Sequence, residues 1–359
     1  MKAAVLKAFA SPLSVVSVPD PVLGTGEVIV NVAATRVLAY AKEVFSGERD
    51  YLLGLPAIPG PGAIGRVRTI GPDATHLAVG DWVYCDPTVR SRDDAVSPDI
   101  LLQGWTARND GSLHLQKHFR HGSFAQQMRV PTENAIRIGA IEEADAPSWC
   151  ALGTLLVPYG GLAAAKLTAG ETVLVNGATG AFGSAGVAVA LAMGARSVLA
   201  TGRNGKALED LEHRFGRRVR RVQMTGHEEN DRTRIQQAAP GPIDCVLDLL
   251  PPAANASQVR TAISTVRPYG RVVLMGGVGM STDGGLELSY SWLMRNCITL
   301  YGQWMYGRDA TIRMAGLIRA GLVDLANFQV TTFSLDEANA AVAHASANAG
   351  PFRMTVIRP

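Results

Sequence analysis

The chain has 359 residues, 47% of them hydrophobic and 18% charged, which makes it too long for one ordinary core and too apolar for disorder. Two domains are expected. Its 34 Lys+Arg against 31 Asp+Glu leave a net charge of +3, which removes the electrostatic case for binding nucleic acid and leaves a small molecule as the expected partner.

The opening residues MKAAVLKAFA pass straight into strand alternation, and the longest near-apolar stretch, 185–195, is too short to cross a bilayer. Neither secretion nor membrane insertion is expected. Up to about residue 138 the text is a series of short β-rich runs broken by Gly and Pro: AAVLKAF, EVIVNVAATRV, GAIGRVRTIG, DWVYCDP and SFAQQMRVP. These predict a compact, mostly antiparallel β domain. Residues 86–121 are its least regular stretch and read as a long loop. After Ala144 the texture changes to strand, glycine turn and Ala-rich helix, with TVLVN (172–176), a helix over about 181–193, SVLAT (197–201), DCVLDLL (244–250) and RVVLMGG (271–277). Continuous apolar strands alternating with helices predict a parallel sheet covered on both faces. Helical patterns follow around 311–321 and 335–348, and the last strand, FRMTVIRP, is assigned back to the β domain. Cys85, Cys150, Cys245 and Cys297 form no CxxC pair, so no disulfide framework is expected and the chain reads as reduced and cytoplasmic.

The strongest chemical signal is TVLVNGATGAFGSAG, residues 172–186. An apolar strand runs into a glycine turn and then a small-residue helix, the context that makes a glycine pattern a dinucleotide site. Ala178, Gly180 and Gly183 stand at the fingerprint spacing, and Gly177, Thr179, Ala181 and Phe182 complete the turn. Gly180 would let the backbone approach a pyrophosphate, Gly183 would let the helix pack on the sheet, and the helix N-terminus would face the phosphates. The bland alternative is an ordinary strand-turn-helix. The next strand ends in Thr201-Gly202-Arg203-Asn204, where an NAD site would carry an acid for the ribose 2′-hydroxyl. A guanidinium in that place, with Thr201 and Asn204 as further donors, favours NADP(H) over NAD; a surface arginine in a turn is the alternative. The arginine run over 214–221 is assigned no role.

The ordered motifs Pro59-Gly60-Pro61-Gly62-Ala63-Ile64-Gly65, Val79-Gly80-Asp81-Trp82-Val83, Gly122-Ser123-Phe124-Ala125 and the 178–183 turn give a chain that resembles the medium-chain dehydrogenase/reductase superfamily over nearly its whole length. The resemblance implies an α/β fold: a GroES-like β-rich catalytic domain, residues 1–145 completed by 305–359, and a Rossmann doubly wound parallel-sheet domain that binds NADP(H), residues 146–304. Zinc members carry a Cys, a His-Glu and a later Cys or Asp at places that here look like Leu38, Pro61-Gly62 and Cys150, and their four-cysteine structural lobe would fall in 86–111, which holds no cysteine. A lone thiol does not hold a catalytic zinc, so both zinc sites are expected to be absent and Cys150 is read as a packing residue. His114, His118 and His121 cluster, but no Glu follows His114 and no strong helix signal surrounds them; they read as loop histidines.

Zinc-free members resemble quinone oxidoreductases and enone or enoyl reductases, which implies hydride transfer from NADPH to a quinone or an α,β-unsaturated carbonyl. The proton donor chosen is Tyr51, near the place where enoyl reductases resembling this chain carry a catalytic tyrosine; Tyr40, Tyr84 and Tyr159 compete for the role, with Tyr159 better suited to cofactor packing. Gly276, Gly277 and Val278, in the run from Met275 to Gly279, should pass close to the nicotinamide. Trp292, Trp304 and Met305 would give the substrate an apolar wall or simply pack. By analogy the strand 298–302 implies a homodimer. The alternatives are a zinc-free alcohol dehydrogenase or ketone reductase on the same fold, and a nucleotide-binding protein that has lost catalysis.

Overall fold

A computed structural model describes residues 1–278 and 285–359. The chain divides into two compact units, one made of Met1–Gly153, Leu325–Ala349 and Arg353–Pro359, the other of Thr154–Asp324 with Gly350–Phe352. Among the described residues no helix is long and apolar enough to cross a membrane.

The first unit is organised by the strand Glu27–Val37, whose sequence EVIVNVAATRV is buried along most of its length. It pairs antiparallel with Ala63–Ile70 and with Gln127–Pro131, setting Val30 opposite Val67 and Val28 opposite Val130. These valines, with Val83 and Met128, form one apolar cluster. Apolar residues facing each other across paired strands are the unit from which such a sheet draws its stability. Trp82–Cys85 and Ala135–Arg137 extend the sheet on one side. On the other side the last strand, Arg353–Arg358, pairs antiparallel with Glu27–Val37 and parallel with Gln329–Ser334. The chain end therefore completes the β-rich GroES-like unit.

Residues 86–121 are ordered structure and not the long loop that their irregular text suggests. Thr88–Arg90, Ile100–Leu102 and Thr106–Ala107 make a three-stranded antiparallel sheet. A helix comes next at Asp110–His118, its N-terminus capped by the Asn109 side chain, which accepts from the Ser112 N–H. Val89, Leu101, Ala107 and Phe119 close a small core beneath it. His114 and His118 thus lie on a helix that the sequence reading did not recognise, because its residues are mostly polar and its strands are only two or three residues long.

The second unit is a six-stranded parallel sheet in the spatial order Val219–Gln223, Ser197–Gly202, Thr172–Asn176, Ile243–Asp248, Val266–Leu274, Thr299–Gly302. Numbered along the chain, that order is 3-2-1-4-5-6, the Rossmann arrangement with its direction reversed between the first and fourth strands. The central strand Thr172–Asn176 is buried at every position, as a strand with helices over both faces must be. Leu174 stands level with Leu199 on one side and Val246 on the other, and all three belong to the main apolar cluster of the sheet. Ligands of such sheets bind outside the carboxyl ends of the strands where the winding reverses, beside Asn176 and Asp248 here.

Candidate active site

Immediately after Asn176 the chain turns through Gly177, which has φ +86°, a conformation that strongly favours glycine. The turn is closed by the Gly180 N–H to the Gly177 carbonyl at 3.1 Å and tied to the next strand by the Ala178 N–H to the Thr201 carbonyl at 2.9 Å. The helix Ala181–Ala192 begins there with no side chain capping its first turn, so its N-terminal dipole end is available to an anion. A side chain at Gly183 would bring its Cβ 2.0 Å from the Gly177 oxygen, whereas one at Gly180 would stand at an ordinary 3.5 Å. Gly183 is therefore needed for helix-to-turn packing. Gly180 has no such internal reason, and its bare backbone leaves room for a phosphate. Gly202 lets Thr179 approach; a Cβ there would lie 2.6 Å from the Thr179 side chain.

At the end of the neighbouring strand, Arg203 is exposed and its carbonyl accepts from the Gln223 side chain at 3.1 Å. Its two companions in the sequence reading, Thr201 and Asn204, both make bonds within the fold. Thr201 is buried, and its hydroxyl donates to Asn176 Oδ1 at 2.9 Å and lies 3.3 Å from the Val175 carbonyl. Asn204 spends its Oδ1 on the Ala207 N–H at 3.1 Å, capping the helix Gly205–Phe215. The Thr201 role is a correction to the sequence reading, since a hydroxyl at a strand end does not reveal which way it points; the Asn204 cap uses only its acceptor oxygen and not its Nδ2 donor. Near the fifth strand, the Gly277 N–H donates to the Leu250 carbonyl at 2.8 Å and is not free for a carboxamide. Gly276 is required because a Cβ would come 2.5 Å from Asp248 Oδ2, and Val278 packs against the main cluster. Gly279 lies outside the described residues. Trp292 also joins the sheet's apolar cluster, Trp304 is exposed, and Met305 sets its carbonyl against Gly160.

The sequence reading missed Asn176 and Asp248. Asn176 Nδ2 donates to Asp248 Oδ1 at 2.8 Å, and both side chains are buried. A carboxylate inside the apolar run DCVLDLL was the available signal. Burial pushes Asp248 up to about 7, opposed by the hydrogen bonds it accepts from Asn176 and the Leu250 N–H.

In the first unit Tyr51 lies on the loop after the short helix Ala41–Ser46, with its ring 6.4 Å from that of Tyr40 at an interplanar angle of 83°. Tyr40 also meets the fully buried Trp105 edge-on at 5.8 Å. Tyr84 is buried, with its hydroxyl 3.2 Å from the place a Cβ on Gly62 would take. Tyr159 is buried in the other unit; burial raises its phenol, and the charges that act on it are Arg313 and Asp309. The three histidines do not converge. His118 Nε2 contacts the buried Glu27 carboxylate, His121 Nδ1 accepts from the Ile58 N–H at 3.2 Å, and His114 is exposed.

A β-rich unit joined to a Rossmann sheet with an open glycine turn defines the class of two-domain dinucleotide oxidoreductases. Comparison with known proteins agrees. Residues 24–140 match the alcohol dehydrogenase GroES-like domain and residues 181–320 match the zinc-binding dehydrogenase family. Similar sequences include an alcohol dehydrogenase of Geobacillus stearothermophilus, 30% identical over 54% of this chain and 56% of that protein. Another is an L-threonine 3-dehydrogenase of Escherichia fergusonii, 26% identical over 89% of each. Among solved structures, a short chain alcohol dehydrogenase from E. coli CFT073 complexed with NADH superposes with a TM-score of 0.80 at 18% identity, covering 100% of this chain and 99% of that one. A Sinorhizobium meliloti 1021 protein assigned to the zinc-binding dehydrogenases and bound to NADP gives 0.78 at 19%, with the same coverage. The chain belongs to the medium-chain dehydrogenase/reductase, or alcohol dehydrogenase, superfamily and is an oxidoreductase of that family.

The family's catalytic zinc does not fit the residues present. Leu38 is a buried hydrocarbon, and Gly62 has no side chain and φ +82°. Its carbonyl accepts from Thr35 Oγ1 at 3.0 Å, and that hydroxyl is also 2.6 Å from Ser123 Oγ. Cys150 is buried, and burial pushes its thiol up to about 12; it is the one metal-ligand type among these residues. Among the described residues no three His, Cys, Asp or Glu are placed to hold a metal ion.

Asp248 gives the second unit a pH signature. Between ionisation of the unfolded carboxyl near 3.8 and of the folded one near 7, the folded chain keeps a proton that the unfolded chain has released. Stability contributed by this group therefore falls as pH rises through that window, by at most about 1.4 kcal/mol per pH unit. The melting temperature of Asp248→Asn, taken relative to the parent, should climb steadily from pH 4 to pH 7. A constant offset would mean that Asp248 ionises normally.

Proposed function

We propose that the chain is an NADP(H)-dependent, zinc-independent reductase of quinones or α,β-unsaturated carbonyls, acting in the cytoplasm as a homodimer. The observation that carries the reading is the residue set that the resemblance places at the family's zinc position: a leucine, a Pro-Gly pair and a single buried cysteine. Reduction of an isolated ketone builds alkoxide charge that a Lewis acid or a placed donor must stabilise, whereas a conjugated acceptor spreads that charge into an enolate. A site without metal ligands is suited to the second task.

When bound, the reduced nicotinamide supplies hydride. The residues of the chain do the rest. The 177–183 backbone and the helix N-terminus hold the pyrophosphate. Arg203, exposed at the strand end with no acid beside it in the run Thr201 to Asn204, takes the 2′-phosphate as a charge-assisted partner. Tyr51 gives the proton. Cys85, Cys150, Cys245 and Cys297 are unpaired, in keeping with a reducing compartment. The names of the relatives favour a second reading, a ketone reductase or alcohol dehydrogenase on the same fold.

An assay of NADPH consumption with an enone, a quinone and a saturated ketone separates the two. Turnover of the conjugated acceptors, unaffected by a chelator, is expected. Turnover of the ketone alone, or loss of activity on chelation, would refute the first reading, and tight NADPH binding without turnover of any would indicate a lapsed enzyme. Arg203→Ala should weaken NADPH by about 1–3 kcal/mol and leave NADH nearly unchanged; equal weakening would remove Arg203 from the 2′-phosphate. The edge strand Thr299–Gly302 is largely exposed and the nearby helix Tyr290–Arg295 buries no residue, leaving Tyr290 and Met294 open. Pairing of this edge with a second copy would cover it. Sedimentation should then give twice the 38.0 kDa of one chain, and a species of single mass would rule the dimer out.

A further inference from the structure

The backbone on either side of Arg203 is held by bonds from the third strand of the Rossmann sheet, Val219–Gln223. We propose that Gln223, the last residue of that strand, is the positioning residue that aims Arg203, so that cofactor choice is set by two strand ends together. The proposal rests on the reading of the chain as NADP(H)-dependent and names what holds its selecting cation.

The second and third strands run parallel at one edge of the sheet, with Gly202 level with Gln223. Beyond Gly202 the chain is fixed bond by bond. The Gly202 carbonyl accepts from the Met224 N–H at 2.9 Å, and the Arg203 carbonyl accepts from Gln223 Nε2 at 3.1 Å. One carbonyl belongs to the peptide plane before Arg203 and the other to the plane after it. A residue has only two soft backbone dihedrals, so fixing both flanking planes fixes the direction in which its side chain leaves the chain. The first of these bonds is an ordinary backbone contact, but the second depends on the identity of a side chain.

Gln223 is itself held. Its carbonyl accepts from Arg234 Nη1 at 3.0 Å, and its amide lies against Gly205, where a Cβ would come 3.0 Å from Oε1. The loop that follows is pinned by the buried Asp231, which accepts from the Thr225 N–H at 2.7 Å, the Thr225 hydroxyl at 2.8 Å and the Gly226 N–H at 2.8 Å. The end of the third strand is thus a firm bearing. The Arg203 guanidinium, by contrast, is exposed and pairs with no carboxylate among the described residues. A free cation on a fixed backbone has fewer directions to search, and so loses less freedom when it meets a phosphate.

Binding is read from the fluorescence of NADPH and of NADH titrated with the full chain, which needs no substrate. Gln223→Met removes the donor and keeps the length of the side chain. It should weaken NADPH about 3- to 10-fold, the worth of one hydrogen bond, and leave NADH within about twofold. In an Arg203→Ala background the same change should leave both cofactors where Arg203→Ala alone puts them, because Gln223 acts only through Arg203. An unmoved NADPH affinity, equal weakening of both cofactors, or a further loss of NADPH in the Arg203→Ala background would overturn the proposal. A lowered melting temperature with an unchanged NADPH-to-NADH ratio would make Gln223 merely structural. A parent that binds NADPH no tighter than NADH would sink the NADP(H) reading and the role of Gln223 with it, a result distinct from a parent that prefers NADPH and is indifferent to Gln223→Met.

Discussion

The hydrogen bond from Asn176 to Asp248 joins the last residues of two adjacent parallel strands, and the nucleotide end of the sheet is built on it. Asn176 also accepts from Thr201 on the strand at its other side, so one buried amide brings three strand ends to the same level. The turns beyond those strand ends all start from that level. The Gly177 turn begins one residue later, the Leu249 N–H returns to the Asn176 carbonyl at 3.0 Å, and the Met275 N–H reaches the Asp248 carbonyl at 3.1 Å. An isolated carboxylate in such a place would be costly. Here it accepts hydrogen bonds from Asn176 and Leu250, and burial lets it keep a proton instead of a full charge. The turns that should face the two ends of a dinucleotide are therefore set by one polar contact beneath them.

That contact explains what the sequence could and could not disclose about the site. The glycine turn was legible because its requirements are local: Gly177 takes a left-handed φ and Gly183 must admit a carbonyl at van der Waals contact. The polar knot was not, since Asn176, Thr201 and Asp248 are separated by 25 residues or more and only the parallel register brings them together. Thr201 was misassigned for the same reason. In a strand successive side chains point to opposite faces, and a hydroxyl at the end of an apolar run has no sequence mark saying whether it faces ligand or sheet.

The rest of the fold divides along similar lines. Long strands such as Glu27–Val37 and the buried runs of the Rossmann sheet carry enough apolar repeats to be read directly. The stretch 86–121 does not, because strands of two or three residues have no measurable period, and the helix Asp110–His118 buries only Ser112 and Gln116 along its length. The one strong clue was the cap: Asn109 three residues before Ser112 is a helix start.

Residues 86–121 hold no cysteine and carry a small sheet and a helix. Thr106 from the last strand and Gln116 from the helix supply the side-chain oxygens that hold the Leu52 and Gly54 N–H groups on the C-terminal side of Tyr51. Gln116 also donates to the Leu52 carbonyl at 2.9 Å. A backbone held by buried polar side chains cannot shift without leaving those groups unsatisfied, at a cost of about 1–3 kcal/mol each. The excursion that lacks cysteines thus fixes the backbone on the C-terminal side of Tyr51 by side-chain hydrogen bonds.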